Sequence, residues 1–400
     1  EHSAVEGVMT LTKDGATIQL HDLLDGERLD DAIIFAHLQG KCTLATLYNC
    51  FGSWSRNGIG EILSSRVNST LVAMGCVRED VGGYCCEFRL PGSEQWLNDP
   101  CFELEIGDSG KMHLHFKAWE SFESELASGL TLERIYRASI SGERRGIESY
   151  EIIRKMAHRV KSENRLVLND HWDLMARLKR FFEFMMQRRL AYENVKIYDV
   201  APLINHEPDI EIHHVESSFG DLEGLSRHDF LIQSHEVEGK VNELMRKWMV
   251  LMAEYPAPLY HYFHAFDHQR KDRVLHFVWN VAALEELHKM RFSRNRVDLI
   301  DRLKEMRDRW SGAFHQMPTD EVLRHIKDSR HYHAHAAADL REKAAKGWWL
   351  LRYGDFVMAL SNLEILSRLG FNEQEAITLT RHNLWMREAL DLTIYPGPDD

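Results

Sequence analysis

The chain has 400 residues, a formal net charge of -13 and 44% hydrophobic residues. This length is too great for one ordinary core and predicts two or three domains. No apolar run approaches the ~20 residues that span a bilayer. The acidic total argues against sequence-blind coating of nucleic acid, although a nucleic-acid enzyme needs only a local basic surface.

The N-terminus and the cysteines indicate a reducing compartment. Residues 1–5 have neither a basic flank nor an apolar core, so we expect no signal peptide and a cytoplasmic protein. We expect all six cysteines to be reduced thiols packed in a β-rich region, with no metal role: Cys42, Cys50, Cys76, Cys85, Cys86 and Cys101.

The first 120 residues are predicted to form strands. Short segments rich in β-branched and apolar residues alternate with turns, one of which we place at Gly82-Gly83. The predicted strands are Val5–Thr12, Ala16–Leu20, Ala32–Gln39, Lys41–Leu47, Thr70–Val77, Tyr84–Leu90, Cys101–Ile106 and Lys111–Trp119.

Residues 120–235 have a mixed pattern. Leu174–Leu190 is predicted to be helical, whereas Val195–Val200 and Ile210–Val215 are predicted strands. We therefore treat residues 1–235 as one β-rich N-terminal region and leave open a further division near residue 120.

From residue 236 onwards the apolar residues recur at helical spacing. Four or five helices are expected, which suit a helical bundle over residues 236–400. The long predicted helices are Lys240–Ala253, Arg273–Lys289, Arg296–Trp310, Arg341–Leu369 and Glu373–Leu392, and a short helix from Pro318 to about Ser329 is predicted in addition. The fold class is thus α+β, with a β-rich region followed by an all-α bundle.

A polar segment between two of these helices, residues 328–335, carries the candidate chemistry. Three histidines alternate after Arg330, at positions 331, 333 and 335. One interpretation is a metal site made of His331, His335 and Asp339, and another is a solvated run without a function. The third is a phosphodiesterase site, in which His335 is the base and Arg330 binds the phosphate.

The spacing of the last pair raises a geometric difficulty. Arg330 and His335 would lie about 140° apart on an ideal helix. We therefore expect them to converge only if the segment is not regular helix, or if a symmetry mate contributes the second group.

These residues resemble a known family. Arg330-x4-His335, with the polar His331 directly after the arginine, resembles the R-x4–6-H signature of HEPN ribonucleases. The upstream stretch 281–288 is similar to the acidic helix of this group. The opening strand 5–11 and the strand that leads from Thr43 to Cys50 are similar to the N-terminal region of ApeA-like anti-phage proteins.

The resemblance implies an activity and its partners. It implies a metal-independent endoribonuclease without a cofactor, in which Arg330 and His335 are catalytic, His331 is supporting, and Glu285 or Glu286 orients Arg330. It also implies an RNA substrate, a homodimer whose two motifs share one cleft, and abortive infection triggered through an N-terminal sensor by a phage-derived signal. No membrane association is expected.

Some alternatives stay open. A catalytically inactive HEPN module that only dimerises or binds RNA is the main rival, followed by a metal-dependent hydrolase. The basic stretch 291–309 is either an RNA-backbone track or, preferably, a salt-bridged helix face. Trp348 and Trp349 are expected in a core or dimer interface rather than in a base-stacking platform.

Overall fold

Antiparallel strands dominate the N-terminal part of the chain. The structure is a computed structural model, and it describes residues 7–12, 15–20, 32–38, 43–56, 62–69, 71–74, 81–97, 102–106, 112–116, 122–141, 151–199, 210–214, 230–269, 271–293 and 296–392. The chain divides into two compact units, the first comprising Glu1–Lys179 and Leu190–Leu222, the second Arg180–Arg189 and Glu223–Asp400. The described strands lie in the first unit and most of the helices in the second, which confirms the predicted α+β class.

Twelve of the described strands join in one sheet and two form a separate hairpin. The sheet order is β1-β2-β5-β4-β6-β14-β13-β7-β12-β11-β10, with β3 paired to β4, and the hairpin joins β8 to β9. The strands are β1 (Gly7–Thr12), β2 (Gly15–Leu20), β3 (Ala32–Leu38), β4 (Thr43–Arg56), β5 (Ile62–Ser69), β6 (Leu71–Met74), β7 (Gly82–Arg89), β8 (Phe102–Ile106), β9 (Met112–Phe116), β10 (Phe122–Ala127), β11 (Leu130–Ser141), β12 (Glu151–Val167), β13 (Glu193–Tyr198) and β14 (Ile210–His214).

Gly82-Gly83 is not a turn, contrary to the prediction, but the start of β7. A Cβ at Gly82 would lie 2.1 Å from the carbonyl oxygen of Leu166, and one at Gly83 would lie 2.3 Å from that of Tyr198. The glycines are needed because the backbones of neighbouring strands approach too closely for a side chain.

The cysteines of the described sheet are packing residues. Cys50, Cys85 and Cys86 are buried free thiols. Burial raises the pKa of the Cys50 thiol to about 11 and that of Cys85 to about 12, and it also raises the pKa of Cys86. These three thiols are therefore poor nucleophiles at neutral pH. The other three cysteines lie outside the described residues.

Helices build the second unit. A short helix, α1 (Ser93–Leu97), belongs to the first unit, and α2 (Leu168–Met186) runs from the first unit into the second. Residues 230–392 then contain, where described, α3 (Val241–Glu254), α4 (Pro256–His268), α5 (Arg273–Phe292), α6 (Leu299–Arg309), α7 (Asp320–His335), α8 (Gly347–Arg368), α9 (Glu373–His382) and α10 (Leu384–Leu390). No described helix is long and apolar enough to cross a membrane.

The sequence pattern missed helix α4 and also the strands β5, β10, β11 and β12. Helix α4 begins with Pro256 at its first position, where a proline's fixed φ suits a helix start. Aromatic residues and histidines occupy both its buried and its exposed faces, so the pattern has little polar contrast.

Several predicted helix boundaries were wrong, among them that of α2, which spans Leu168–Met186 and not Leu174–Leu190. Helix α7 continues six residues beyond Ser329, through the motif to His335. Helix α8 begins at Gly347 rather than at residue 341, and the predicted helix 373–392 is broken at Asn383. The side chain of Asn383 accepts a hydrogen bond from the backbone N–H of Met386, which starts a new helix there.

Helix α8 forms the centre of the second unit and packs against α5. Every residue from Tyr353 to Leu366 is buried, so the helix is enclosed on all sides. Gly354 lies at the contact with α5, where a Cβ would come within 2.6 Å of Cδ2 of His276. The His276 ring cannot move aside easily, because it is fully buried and hydrogen-bonded to Asp355 and to the carbonyl of Ala265.

We expect Gly354→Ala to lower the free energy of unfolding by roughly 1–3 kcal/mol, because the new methyl group overpacks the α5–α8 contact. The better helix propensity of alanine offsets at most about 1 kcal/mol of that loss. Urea denaturation followed by circular dichroism measures the effect.

The matched control is Gly312→Ala, where the new methyl group meets only the end of the Ile377 side chain, at 3.3 Å. This variant should unfold like the wild type. A Gly354→Ala chain at least as stable as the wild type would show that the α5–α8 contact is loose.

Candidate functional site

The R-x4-H segment occupies the C-terminal end of α7. Thr319 caps the start of this helix, and Val322, Leu323, Ile326 and Ser329 form its buried face. The helix ends at Ala336, whose backbone is left-handed (φ 52°) and whose N–H donates to the carbonyl of Tyr332. Arg330 and His335 therefore lie in regular helix, not between helices as the sequence suggested.

Arg330 and His335 nevertheless meet within one chain. Nη1 of Arg330 lies 2.8 Å from Nε2 of His335. The long arginine side chain crosses the end of the helix and makes up for the angular separation. The expectation that the two could converge only outside a regular helix or across a symmetry axis was wrong.

The contact defines the tautomer of His335. A guanidinium has only N–H donors, so Nε2 of His335 must accept the hydrogen bond. The ring is then neutral and carries its proton on Nδ1. His335 is exposed to solvent, whereas Arg330 is half-buried.

Glu285 of α5 holds the other half of the guanidinium. Its Oε2 lies 3.2 Å from Nη2 of Arg330, and both side chains are about three-quarters buried. The fork of Arg330 thus bridges a carboxylate and an imidazole. Glu286, the other carboxylate considered from the sequence, instead forms an ion pair with Lys289.

A buried group behind Glu285 was not identified from the sequence. Nη1 of Arg302 lies 3.3 Å from the carbonyl oxygen of Glu285 and 3.1 Å from Nδ1 of His288. Nε2 of His288 in turn lies 2.8 Å from a carboxylate oxygen of Glu305. The only sequence signal was an arginine at an inward helical position, within a stretch otherwise rich in surface charge.

The remaining cations of that stretch mostly form ion pairs. Lys304 and Arg307 both contact Asp320, and Arg309 contacts Glu373. The side chain of Arg291 lies 3.5 Å from the buried carboxylate of Glu364. These contacts favour the salt-bridged helix face over the RNA-backbone track.

The other histidines of the motif have different surroundings. The exposed ring of His331 lies 5.1 Å from that of His335, measured between centroids. His333 instead reaches the segment that follows α7, where its Nε2 lies 3.0 Å from the carbonyl oxygen of Ala345. The N–H of Ala345 donates to Ser329, so this segment is attached to α7 at two points.

The described residues around the motif do not form a cluster of side chains that could coordinate a metal ion. Within the described residues, no three His, Cys, Asp or Glu side chains are grouped as a metal ion would require. Nε2 of His335 is already bonded to Arg330. The structure therefore gives the metal-site interpretation of His331, His335 and Asp339 no geometric support.

Fold and site together define a class of protein. A helical unit in which an R-x4-H pair ends one helix and faces a glutamate from another has the features of a HEPN domain. A family model described as Apea-like HEPN matches residues 262–375, and one described as ApeA N-terminal domain 1 matches residues 1–248. The chain therefore belongs to the ApeA-like family of anti-phage proteins, with a C-terminal HEPN domain. Neither a curated protein nor a solved structure matches the chain.

We expect the two histidines that contact arginines in this site, His335 and His288, to show opposite tautomers. His335 should carry its proton on Nδ1, because its Nε2 accepts from Arg330. His288 should carry its proton on Nε2, because its Nδ1 accepts from Arg302. Long-range ¹H–¹⁵N correlation spectra at neutral pH distinguish the two forms, with signals assigned by the variants His335→Ala and His288→Gln.

The variant Arg330→Ala supplies the control. It should remove the tautomer preference of His335 and leave that of His288 unchanged. An Nε2–H tautomer at His335 in the wild type would contradict the Arg330–His335 contact.

Proposed function

We propose that this protein is an endoribonuclease that cleaves RNA without a metal ion, with Arg330 and His335 as its catalytic pair. The observation that carries the proposal is the direct contact between the guanidinium and the imidazole at a solvent-accessible helix end. HEPN domains are usually ribonucleases, and this chain has both the arginine and the histidine of the R-x4-H motif, Arg330 and His335.

The chemistry follows from what each group can do. Nε2 of His335 takes the proton of a ribose 2′-OH, and the 2′-oxygen attacks the adjacent phosphorus. The bond to the 5′-oxygen of the next nucleotide breaks, and that oxygen takes a proton from water as it leaves, while the imidazolium of His335 returns its proton to the solvent. The products are a 2′,3′-cyclic phosphate and a 5′-OH, and Arg330 offsets the charge that develops on the phosphate.

The observed contact then corresponds to a resting arrangement. The lone pair of Nε2 that must accept the 2′-OH proton is occupied by Arg330. In the proposed reaction, the phosphate replaces His335 as the partner of Nη1, which frees the base when substrate binds. Glu285 keeps hold of Nη2 and limits how far the guanidinium moves. His331, beside His335, is proposed as a supporting residue that positions the RNA.

We further propose a homodimer in which two motifs face a shared cleft. The angular separation of Arg330 and His335 on a helix is no longer an argument for a dimer, since one chain brings the two side chains together. What supports the dimer is membership of the HEPN class, whose domains typically dimerise and bind RNA.

The wider role proposed is abortive infection in the cytoplasm. In this proposal, residues 1–235 sense a phage-derived trigger and restrain the nuclease of residues 236–400 until the trigger binds. The support is the match of the N-terminal region to ApeA N-terminal domain 1.

We expect Arg330→Ala and His335→Ala each to lower the rate of RNA cleavage by on the order of 10²–10⁴, because one removes the phosphate cation and the other the base. His331→Ala should have a smaller effect, and His333→Ala a smaller one still. Cleavage of labelled single-stranded RNA, with identification of the product ends, measures the rates.

His315→Ala is the control, since it removes an exposed histidine away from the motif and should cleave like the wild type. The reactions contain EDTA. Activity that disappears in EDTA and returns with zinc or manganese would favour a metal-dependent hydrolase. Absence of cleavage by the wild type under every condition would favour an inactive HEPN module.

For the dimer, we expect sedimentation at micromolar concentration to give about twice the chain mass. Mixing Arg330→Ala and His335→Ala chains should restore little activity, because neither chain of a mixed dimer holds the complete pair that one chain brings together. Substantial activity with a maximum at equal amounts would show instead that an arginine and a histidine from different chains act together in the shared cleft. A strictly monomeric chain that cleaves RNA would refute the shared cleft.

A further inference from the structure

A group of stacked rings lies on the surface seam between α4 and α5. It consists of five side chains, which we call the histidine–tryptophan cluster: Tyr260, His261, His264 and His268 from α4, and Trp279 from α5. Tyr260 is 58% exposed and the other four are half-buried, so the cluster faces solvent in the described part of the chain.

The rings are already arranged in stacks. The rings of His261 and His264 lie nearly parallel to the indole of Trp279, with centroid distances of 5.0 and 4.9 Å. His268 continues the stack from His264 at 5.9 Å, and the hydroxyl of Tyr260 lies 2.9 Å from Nε2 of His264. Because the rings hold one another in place, they would lose little conformational freedom on binding a further flat group.

The cluster lies near the candidate site, to which α5 connects it. Trp279 and Glu286 are seven residues apart on α5, which places them on one face of the helix at a separation of about 10 Å. Glu285, which contacts Arg330, precedes Glu286 and lies about 100° around the helix from it, so the cluster and Arg330 lie on neighbouring faces of α5. His261 is also close enough to Glu285, Glu286 and Lys289 for all three charges to affect its pKa.

The charges around the cluster do not oppose an RNA strand. Both carboxylates at its end are paired with cations, Glu285 with Arg330 and Glu286 with Lys289. Burial lowers the pKa of His261, an effect that the nearby carboxylate of Glu286 partly opposes, so this ring is neutral at neutral pH. A flat ring surface suits the face of a nucleobase better than it suits a phosphate.

We propose that the histidine–tryptophan cluster is a base-stacking platform for single-stranded RNA, which holds nucleotides next to the phosphate that Arg330 binds. This inference rests on the proposed nuclease function. Unpaired bases stack on Trp, Tyr and His side chains in many RNA-binding proteins, and such stacking tolerates any sequence because every base has a π face. A paired base has its faces covered by its neighbours, so the platform discriminates against duplex RNA.

The test measures RNA binding by fluorescence anisotropy with the full-length chain. The probe is a labelled single-stranded oligonucleotide with 2′-O-methyl riboses, which lacks the attacking 2′-OH and cannot be cleaved. Two substitutions are compared at one position: Trp279→Phe keeps an aromatic ring, whereas Trp279→Leu keeps an apolar side chain without a ring.

We expect Trp279→Leu to weaken single-strand binding by about tenfold, within the usual range for loss of one stacked base. Trp279→Phe should bind the single-stranded probe with a dissociation constant within about twofold of that of the wild type. Binding of a duplex with the same sequence should not change in either variant. If thermal unfolding shows that Trp279→Leu does not fold, the pair His264→Leu and His264→Phe makes the same comparison on the neighbouring ring.

Several results would overturn the platform. These are a wild-type chain that does not bind the single strand, equal binding by the Leu variant and the wild type, and equal loss in the Phe and Leu variants. A Leu variant that changes only the association of chains in sedimentation would identify the cluster as a contact between copies instead.

The outcomes also separate the platform from the proposed nuclease. Ring-dependent binding of the probe without cleavage of unmodified RNA would leave the platform standing and remove the catalytic assignment. Normal cleavage by Trp279→Leu, with unchanged binding of the probe, would remove the platform and leave the catalytic assignment standing.

Discussion

The packing of α5 against α8 is the constraint on which the site depends. Gly354 allows the two helices to approach until Cδ2 of His276 leaves no room for a Cβ. Helix α5 supplies Glu285, which holds Arg330, and Trp279, around which the surface rings stack. Because packed helices are rigid on the scale of a side chain, the packing of α5 against α8 fixes where Glu285 and Trp279 lie relative to the rest of the helical unit.

The arginine of the motif is held rather than free. Glu285 and His335 take two different nitrogens of its guanidinium, and Arg302 supports Glu285 from behind through the backbone carbonyl. Preorganisation of this kind would reduce the cost of ordering a cation for the phosphate of the proposed substrate. It also explains how a protein with a net charge of -13 can present a local cationic group: the surrounding carboxylates are used to hold cations in place.

The contact between Arg330 and His335 within one chain changes what dimerisation would contribute to the site. If the pair had to be assembled from two chains, dimerisation would create the site. With the pair present in each chain, a dimer would instead bring two complete pairs to one RNA. In the proposed homodimer, the second chain would then contribute to substrate binding and not to assembling the Arg330–His335 pair.

The amino-acid sequence by itself determined the class of each region, because the signals are local. Alternating apolar residues predicted strands before residue 120, helical spacing predicted the bundle after residue 236, and Arg330-x4-His335 marked the motif. The bounds of α2, α7, α8 and α9 were misplaced, and helix α4 and the strands β5, β10, β11 and β12 were missed. These depend on capping and on burial against partners that lie far away in the chain.

Only the tertiary structure decided which side chains meet. Glu285 and Glu286 are equivalent in the sequence, and the 100° that separates them on α5 sends one to Arg330 and the other to Lys289. The role of Arg302 needed the burial of α6 against α5, and the stacking of His261 and His264 on Trp279 needed the packing of α4. A periodic pattern shows which face of a helix is buried, but not which residue of another helix lies opposite it.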